Sequence, residues 1–341
     1  MIYQTRQHLS DRDLLPEDRA CPFCASQAER PPVLMVQENP RVDLLACKCG
    51  CISASRMPKP EYLRDYYHRY YSNELSEAKS SFRFPVNFEG SHRLARHLFR
   101  HLGVPAKQRI RILDFGGGRD AAVSRALARH FLDRGTARVE IALVDYNASV
   151  LESDAAVAVN SHLDLESAGG EFDIAIASAI VEHIPNPRET VRGLLNSLAP
   201  AGRAYFRTPA MTPVIKFAAR LGTHVEFTYP AHLHDMGQAF WENVLSTMSG
   251  DGFTLLRSRP GLVEADFRTH PGRAGVSLLF KSPWFLLRRR YKMVGAWEAI
   301  IGRDPGATSR HNVTYGPRTA GKDQETVTGM DPTPRTLCSR S

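Results

Sequence analysis

The chain has 341 residues, 43% of them hydrophobic and 23% charged, with a formal net charge of +8. These figures exclude a single small module and suit a globular main domain with attachments; no uninterrupted apolar run is long enough to cross a bilayer. The positive balance admits nucleic acid, phosphorylated compounds or an acidic membrane surface as partners, and selects none of them.

Residues 1–20 form a polar leader, MIYQTRQHLSDRDLLPEDRA, without the continuous apolar core of a signal peptide. A reducing, cytoplasmic location is the expectation. Five of the six cysteines fall between Cys21 and Cys51, and the sixth is Cys338. Such clustering reads as a metal site rather than as a disulfide framework. Cys21-Pro-Phe-Cys24 is one thiolate knuckle, and Cys47-Lys-Cys49-Gly-Cys51 supplies the other half. Two thiolates from each half complete a tetrahedral, structural zinc site, with Cys47 and Cys51 competing for the place beside Cys49. A redox role is disfavoured, since no thioredoxin-like βαβ pattern surrounds the motif. The module spans 21–57. A connector, 58–81, follows with Tyr62, Tyr66, Tyr67, Tyr70 and Tyr71, which read as an amphipathic helix packed on the next domain, or as a cap on its pocket.

The main domain spans 82–303. Apolar β-type runs at 110–115, 139–146, 172–178, 203–208, 253–258 and 297–303, with a weaker one before Ser161, alternate with helical patterns such as AAVSRALARHFLDR. Continuous apolar runs suit strands covered on both faces, and the alternation predicts an α/β fold around one parallel sheet. Residues 304–341 are rich in Gly, Thr, Pro, Ser and Arg, and are expected to be disordered.

The first of these strands runs into Asp114-Phe115-Gly116-Gly117-Gly118-Arg119-Asp120. Glycines after a strand let backbone approach a ligand beyond the strand ends. The spacing is not that of a Walker loop, and Asp120 stands where a dinucleotide fingerprint has its third glycine. Asp145 ends the second strand, where a carboxylate can accept bonds from ribose hydroxyls. Asp164 follows the third, and FDIAIASAIVEHIPNP and LAPAGRAYF come after it.

These motifs, in this order, resemble the class I S-adenosylmethionine-dependent methyltransferases over 82–303. The resemblance implies a Rossmann-like, seven-stranded sheet, with S-adenosylmethionine as cofactor. It implies that Gly116, Gly117 and Gly118 pass under the methionine part, with Asp114 near the cofactor's amino group. Asp145, with Tyr146 beside it, would hold the ribose, Asp164 would approach the adenine, and Ser178 would line the methionine side. Glu182 and His183, a pair frequent in the family, would meet the acceptor, with His183 as base or as a lock on the loop. His232 and His234 precede a helix and read as pocket bases or as a structural lock. With the cysteine module in front, the chain looks like bacterial methyltransferases that carry an N-terminal zinc ribbon and modify biosynthetic intermediates.

Absences narrow the chemistry. There is no Asn/Asp-Pro-Pro-Tyr/Phe after the fourth strand and no cysteine in the main domain. What remains is methylation of a small molecule, a sugar or a lipid-linked intermediate; an RNA base methyltransferase and a non-catalytic adaptor are the alternatives. Against RNA, positive charge is not interleaved with aromatics as a stacking platform. The stretch SLLFKSPWFLLRRRYKMVG either covers a sheet edge or rests on an anionic membrane.

Overall fold

A computed structural model describes residues 8–71, 91–145, 153–223, 225, 227–248, 252–263 and 267–306. Tyr146, the end of the connector and the tail from 307 onward lie outside the described residues. Near the N-terminus come β1 (Pro32–Gln37), β2 (Val42–Ala46) and β3 (Ile52–Ala54), then helix α1 (Pro60–Tyr71). The main domain follows as α2 (Ser91–Leu102), β4 (Arg109–Phe115), α3 (Ala122–Leu132), β5 (Arg138–Val144), β6 (Val157–His162), α4 (Leu165–Ala168) and β7 (Phe172–Ser178). Next come α5 (Pro187–Asn196), β8 (Leu198–Ala210), α6 (Thr212–Arg220), β9 (His234–Asp235), α7 (Gln238–Met248), β10 (Phe253–Pro260), α8 (Pro271–Leu287) and β11 (Gly295–Arg303).

Seven strands form the main sheet in the order β10-β11-β8-β7-β4-β5-β6. Its centre is apolar on both faces: Ile110, Ile112, Leu113, Ile174 and Ile176 are buried, because helices cover both sides. On α2, Leu94, Ala95, Leu98 and Leu102 recur at helical spacing and are buried, while Arg96 and Arg100 are exposed. Each leucine buried this way stabilises the layer by about 2 kcal/mol. Pro187 opens α5, where its missing N–H costs nothing.

One expectation is corrected. The sheet is mixed rather than wholly parallel, since β11 runs antiparallel to both β8 and β10. The reason lies in the connection: the chain leaves β10 and re-enters β11 at the same edge, so β11 must run back across the sheet. The cofactor loop, the end of β7 and both ends of that connection therefore share one edge.

A second sheet, β1-β2-β3-β9, joins the cysteine module to the main domain. Its last strand is His234–Asp235, paired with Ser53 and Ile52. The leader is stapled to it as well: Leu9 N–H donates to Gln37 Oε1 (2.9 Å), Gln37 Nε2 donates to Leu9 O (3.0 Å), and Leu9 and Leu14 are buried. Phe23, between the knuckle cysteines, packs edge-on against Phe240 of α7 at 4.6 Å. Gly50, at φ +92°, brings the second half so near α7 that a Cβ there would lie 2.3 Å from Phe240 N. No other residue fits that approach.

Candidate functional site

Asp114 closes β4 with its side chain buried, and burial raises its carboxyl pKa to about 6, with hydrogen bonds from Ser124 opposing the rise. Oδ2 has no hydrogen-bond partner among the described residues. The glycine loop folds over this carboxylate: a Cβ on Gly117 would lie 2.5 Å from Asp114 Oδ2. Gly116 and Gly118 both take φ +72°, and the Cβ direction of Gly118 opens into free space. Gly118 N–H donates to Asp145 Oδ2 at 2.8 Å, which ties the loop to the end of β5. A buried carboxylate oxygen lacking a donor, beneath backbone without side chains, fits a ligand with a cationic amino group. This observation supports the fit of the predicted cofactor.

Asp164 is exposed and caps α4, accepting from Ser167 N–H at 2.8 Å; that bond holds its pKa below the ordinary carboxylate value. Ser178 ends β7, and its Oγ accepts from Arg207 Nε at 3.0 Å. Arg207 escaped the sequence reading. Its signal is a cation within the apolar strand RAYFRT, where it is buried beside the site.

Past β7 the chain turns sharply. Ala179 sits at φ +58°, in the left-handed region, and a 3-10 turn, Val181–His183, follows. This turn brings together Glu182, His183 and His232, whose ligand-type atoms all lie within 4.8 Å of one another. Glu182 is 1% exposed, and its Oε1 lies 3.9 Å from His183 Nε2. His183 Nδ1 donates to the Ala231 carbonyl at 2.6 Å, so Nε2 carries the lone pair. Tyr67 of α1 reaches the same place, with its hydroxyl 3.1 Å from His183 Nδ1 and donating to Ala231 O at 3.2 Å. His232 Nδ1 is 2.5 Å from Thr228 Oγ1, and the two imidazole centroids are 4.8 Å apart. Burial pushes the His183 pKa down to about 4, partly offset by the Ala231 and Ala179 carbonyls. Burial first, and then His183, hold His232 well below its ordinary value. Both rings are neutral near pH 7, the state a proton acceptor needs.

His234 does not join them. Its ring is fully buried in β9, and Nε2 lies 2.9 Å from the Ile184 carbonyl. His232 lies in the turn before β9 and bonds to Thr228, whereas His234 begins the strand and pairs with Ser53 of β3. His234 thus sits apart from the Glu182–His183–His232 group. Next to it, Asp235 accepts from Met211 N–H and Thr212 N–H, each at 2.7 Å, and so fixes the start of α6.

The cysteines converge as four. Cys21 and Cys49 Sγ are 3.7 Å apart, Cys24 and Cys47 Sγ are 3.4 Å apart, and all four sulfurs lie within 4.8 Å of one another. Thiolates about 2.3 Å from a tetrahedral zinc stand about 3.8 Å apart, so the donor set fits. Cys51 lies outside this group, fully buried in the core with Phe23. Cys47 N–H bonds to Cys51 O at 2.9 Å across the turn, and Cys47 rather than Cys51 lies with the other three sulfurs.

A family model described as a methyltransferase domain matches residues 87–247. No match was found among curated protein sequences. Among solved structures, the plantazolicin methyltransferase BpumL, in complex with a triazolic desmethylPZN analogue and SAH, is similar at 13% identity. That match covers 72% of this chain and 92% of the other, with a TM-score of 0.43. An S-adenosylmethionine-dependent methyltransferase from Mesorhizobium loti is similar at 14% identity, over 62% of this chain and 98% of the other, with a TM-score of 0.33. The CurJ carbon methyltransferase is similar at 14% identity, over 62% and 53% of the two chains, with a TM-score of 0.36. The segment matched by the family model carries the glycine loop, Asp145, Ser178 and the Glu182–His183–His232 group, so residues 87–247 form a methyltransferase domain.

Proposed function

We propose that the protein transfers a methyl group to a protonated heteroatom, such as a hydroxyl, of a small-molecule, sugar or lipid-linked biosynthetic acceptor. The observation that supports this reading is the group of buried Glu182 and half-buried His183 and His232 at the edge that carries the glycine loop. An acceptor that must shed a proton needs a neutral base held in place, and His183 is one. S-adenosylmethionine, when bound, supplies a methyl already activated on a sulfonium. Asp114 pairs with the cofactor's amino group, Gly116, Gly117 and Gly118 allow close approach, Asp145 takes the ribose and Asp164 the adenine. Ser178, oriented by Arg207, lines the methionine side.

His183 accepts the acceptor's proton at Nε2, because Nδ1–H is committed to Ala231 O. Glu182 lies close enough to stabilise the imidazolium that results. Tyr67 and His232 hold the ring and narrow the space around it. The group Cys21, Cys24, Cys47 and Cys49 binds a structural zinc, with Cys51 serving the core. RNA as acceptor would show as affinity that falls steeply with salt. An adaptor role would show as failure to bind S-adenosylmethionine in calorimetry.

The test is methyl transfer to candidate acceptors by wild type and His183→Ala. The variant is expected to bind S-adenosylmethionine as wild type does and to lose about 10²- to 10⁴-fold in kcat. Equal turnover by both proteins would remove His183 from the mechanism.

A further inference from the structure

The connection between β10 and β11 leaves and re-enters the sheet at the edge carrying the cofactor loop. It holds α8, a helix that buries only one side. Ala274, Lys281 and Trp284 face inward: Lys281 Nζ donates to Gly261 O (2.7 Å) and Leu262 O (3.0 Å), and Trp284 packs against Trp297 at 5.4 Å. These contacts fix the helix in place. Its other side is apolar and open to solvent: Leu286 is 88% exposed and Leu279 71%, with Val276, Phe285 and Leu287 more than half exposed. Val276, Leu279 and Leu286 follow helical spacing along one stripe. A soluble surface seldom carries such a row without a partner for it.

The charge around the stripe indicates the partner. Between Phe267 and Lys292 there are seven Lys and Arg and no Asp or Glu, nearly the whole +8 of the chain. Arg288, Arg289 and Arg290 form a 3-10 turn directly after the exposed leucines, and all three are exposed, as is Lys292. Arg289 also pairs with Glu242 at 3.0 Å, which anchors the turn to α7. Among the described residues no helix is long and apolar enough to cross a membrane. An apolar stripe that ends in a basic turn has the chemistry of a helix lying in the plane of an anionic lipid surface.

We propose that α8 and the turn at Arg288–Arg290 dock the protein on an anionic bilayer surface, with the catalytic edge toward the lipid. Leucine and phenylalanine side chains enter the acyl boundary while the arginines meet headgroup phosphates. Resting on the methyl-transfer reading, this orientation presents the Glu182–His183–His232 group to an acceptor carried on a lipid. Docking itself does not depend on that reading.

The test is flotation of the full-length protein with vesicles of phosphatidylcholine alone, and of phosphatidylcholine with phosphatidylglycerol. Wild type is expected to float with the anionic vesicles and not with the neutral ones, and to be released at about 1 M salt. The double variant Leu279→Glu/Leu286→Glu is expected to lose flotation, and Arg290→Glu/Lys292→Glu to weaken it at least about tenfold. Circular dichroism and S-adenosylmethionine calorimetry, read on every variant, separate loss of docking from loss of fold or of cofactor binding. Wild type that stays in the soluble fraction with anionic vesicles overturns the proposal. A sedimenting dimer that Leu279→Glu/Leu286→Glu converts to monomer, without flotation of wild type, would overturn it in favour of a contact between two copies. Flotation without methyl transfer to any acceptor would sustain the docking and refute the catalytic reading.

Discussion

Asp114 is held in an uncomfortable state. Its pKa is raised to about 6 because burial disfavours the charge, so in the free protein near pH 7 a desolvated carboxylate lies under the glycine loop. Against an ordinary value of 3.8, that shift is stability present at low pH and lost as pH rises through about 6. Its size is about 3 kcal/mol. A bound ammonium reverses the preference. S-adenosylmethionine affinity is therefore expected to fall about tenfold per pH unit below about 6, and calorimetry from pH 5 to 8 would show the break. Asp114→Asn should flatten that profile and bind weakly throughout, yet raise the Tm of the free protein at pH 7, since the buried charge is gone. Unchanged Tm and affinity in the variant would mean that the carboxylate is not the amino-group partner.

The residues of this loop were readable because each requirement leaves a mark on composition: glycines where backbone must come close, carboxylates where donors must be met. Arg207 and Ala179 were not readable. Arginine in a strand becomes informative only once its neighbours are known to be buried, and alanine carries no sign that its φ will be +58°. The grouping of the cysteines was open for a similar reason, since three alternating cysteines fit two registers, and only the fold brings Cys47 rather than Cys51 beside Cys24.

At the scale of elements, the sheet is held across its antiparallel seam by a charged cluster. Glu298 of β11 is fully buried, with Oε1 3.0 Å from His97 Nε2 of α2 and 2.5 Å from Arg259 Nε of β10; Tyr205 of β8 donates to Oε2 at 3.2 Å. Burial alone would raise its pKa, but His97 and Arg259 more than offset it and bring the value to about 2. The lowered value makes this contribution present above about pH 4.5 and lost as pH falls toward 2, by about 3 kcal/mol. Glu298→Ala, which leaves Arg259 and His97 facing a void, is expected to cost on the order of 3–5 kcal/mol in denaturant unfolding. A loss under about 1 kcal/mol would show that water reaches the cluster. The alternation of strand and helix was legible from apolar runs, and the antiparallel return was not. Pattern shows where a strand lies and says nothing of its direction, which here is set by where the α8 connection comes back.

For the whole molecule, the cysteine module and the Glu182–His183–His232 group are mechanically joined. Cys49 and Gly50 lead into β3, β3 pairs with β9, and β9 follows directly on Ala231 and His232, whose carbonyl and ring position His183. On the zinc reading proposed above, a strong chelator is expected to lower the Tm and the methyl-transfer rate together, and Cys24→Ser should do the same without chelator. Gly50→Ala should behave similarly while keeping the metal, since it presses α7 and the turn apart. Full activity after verified loss of zinc would show that the small sheet holds without it.

The shared strand β9 also bears on how this protein can be divided. A fragment cut at residue 82 would keep the glycine loop, the carboxylates and the histidines, and would look complete on paper. Yet it would leave β9 with an unpaired backbone edge beside fully buried Leu233 and Met236, and Phe240 without the Phe23 ring. Naked strand edges next to apolar side chains find one another, so such a fragment should come out of expression as aggregate. Loss of activity in a truncated protein would then report misassembly, and swapping catalytic domains between such enzymes would succeed only when the ribbon travels with its partner strand.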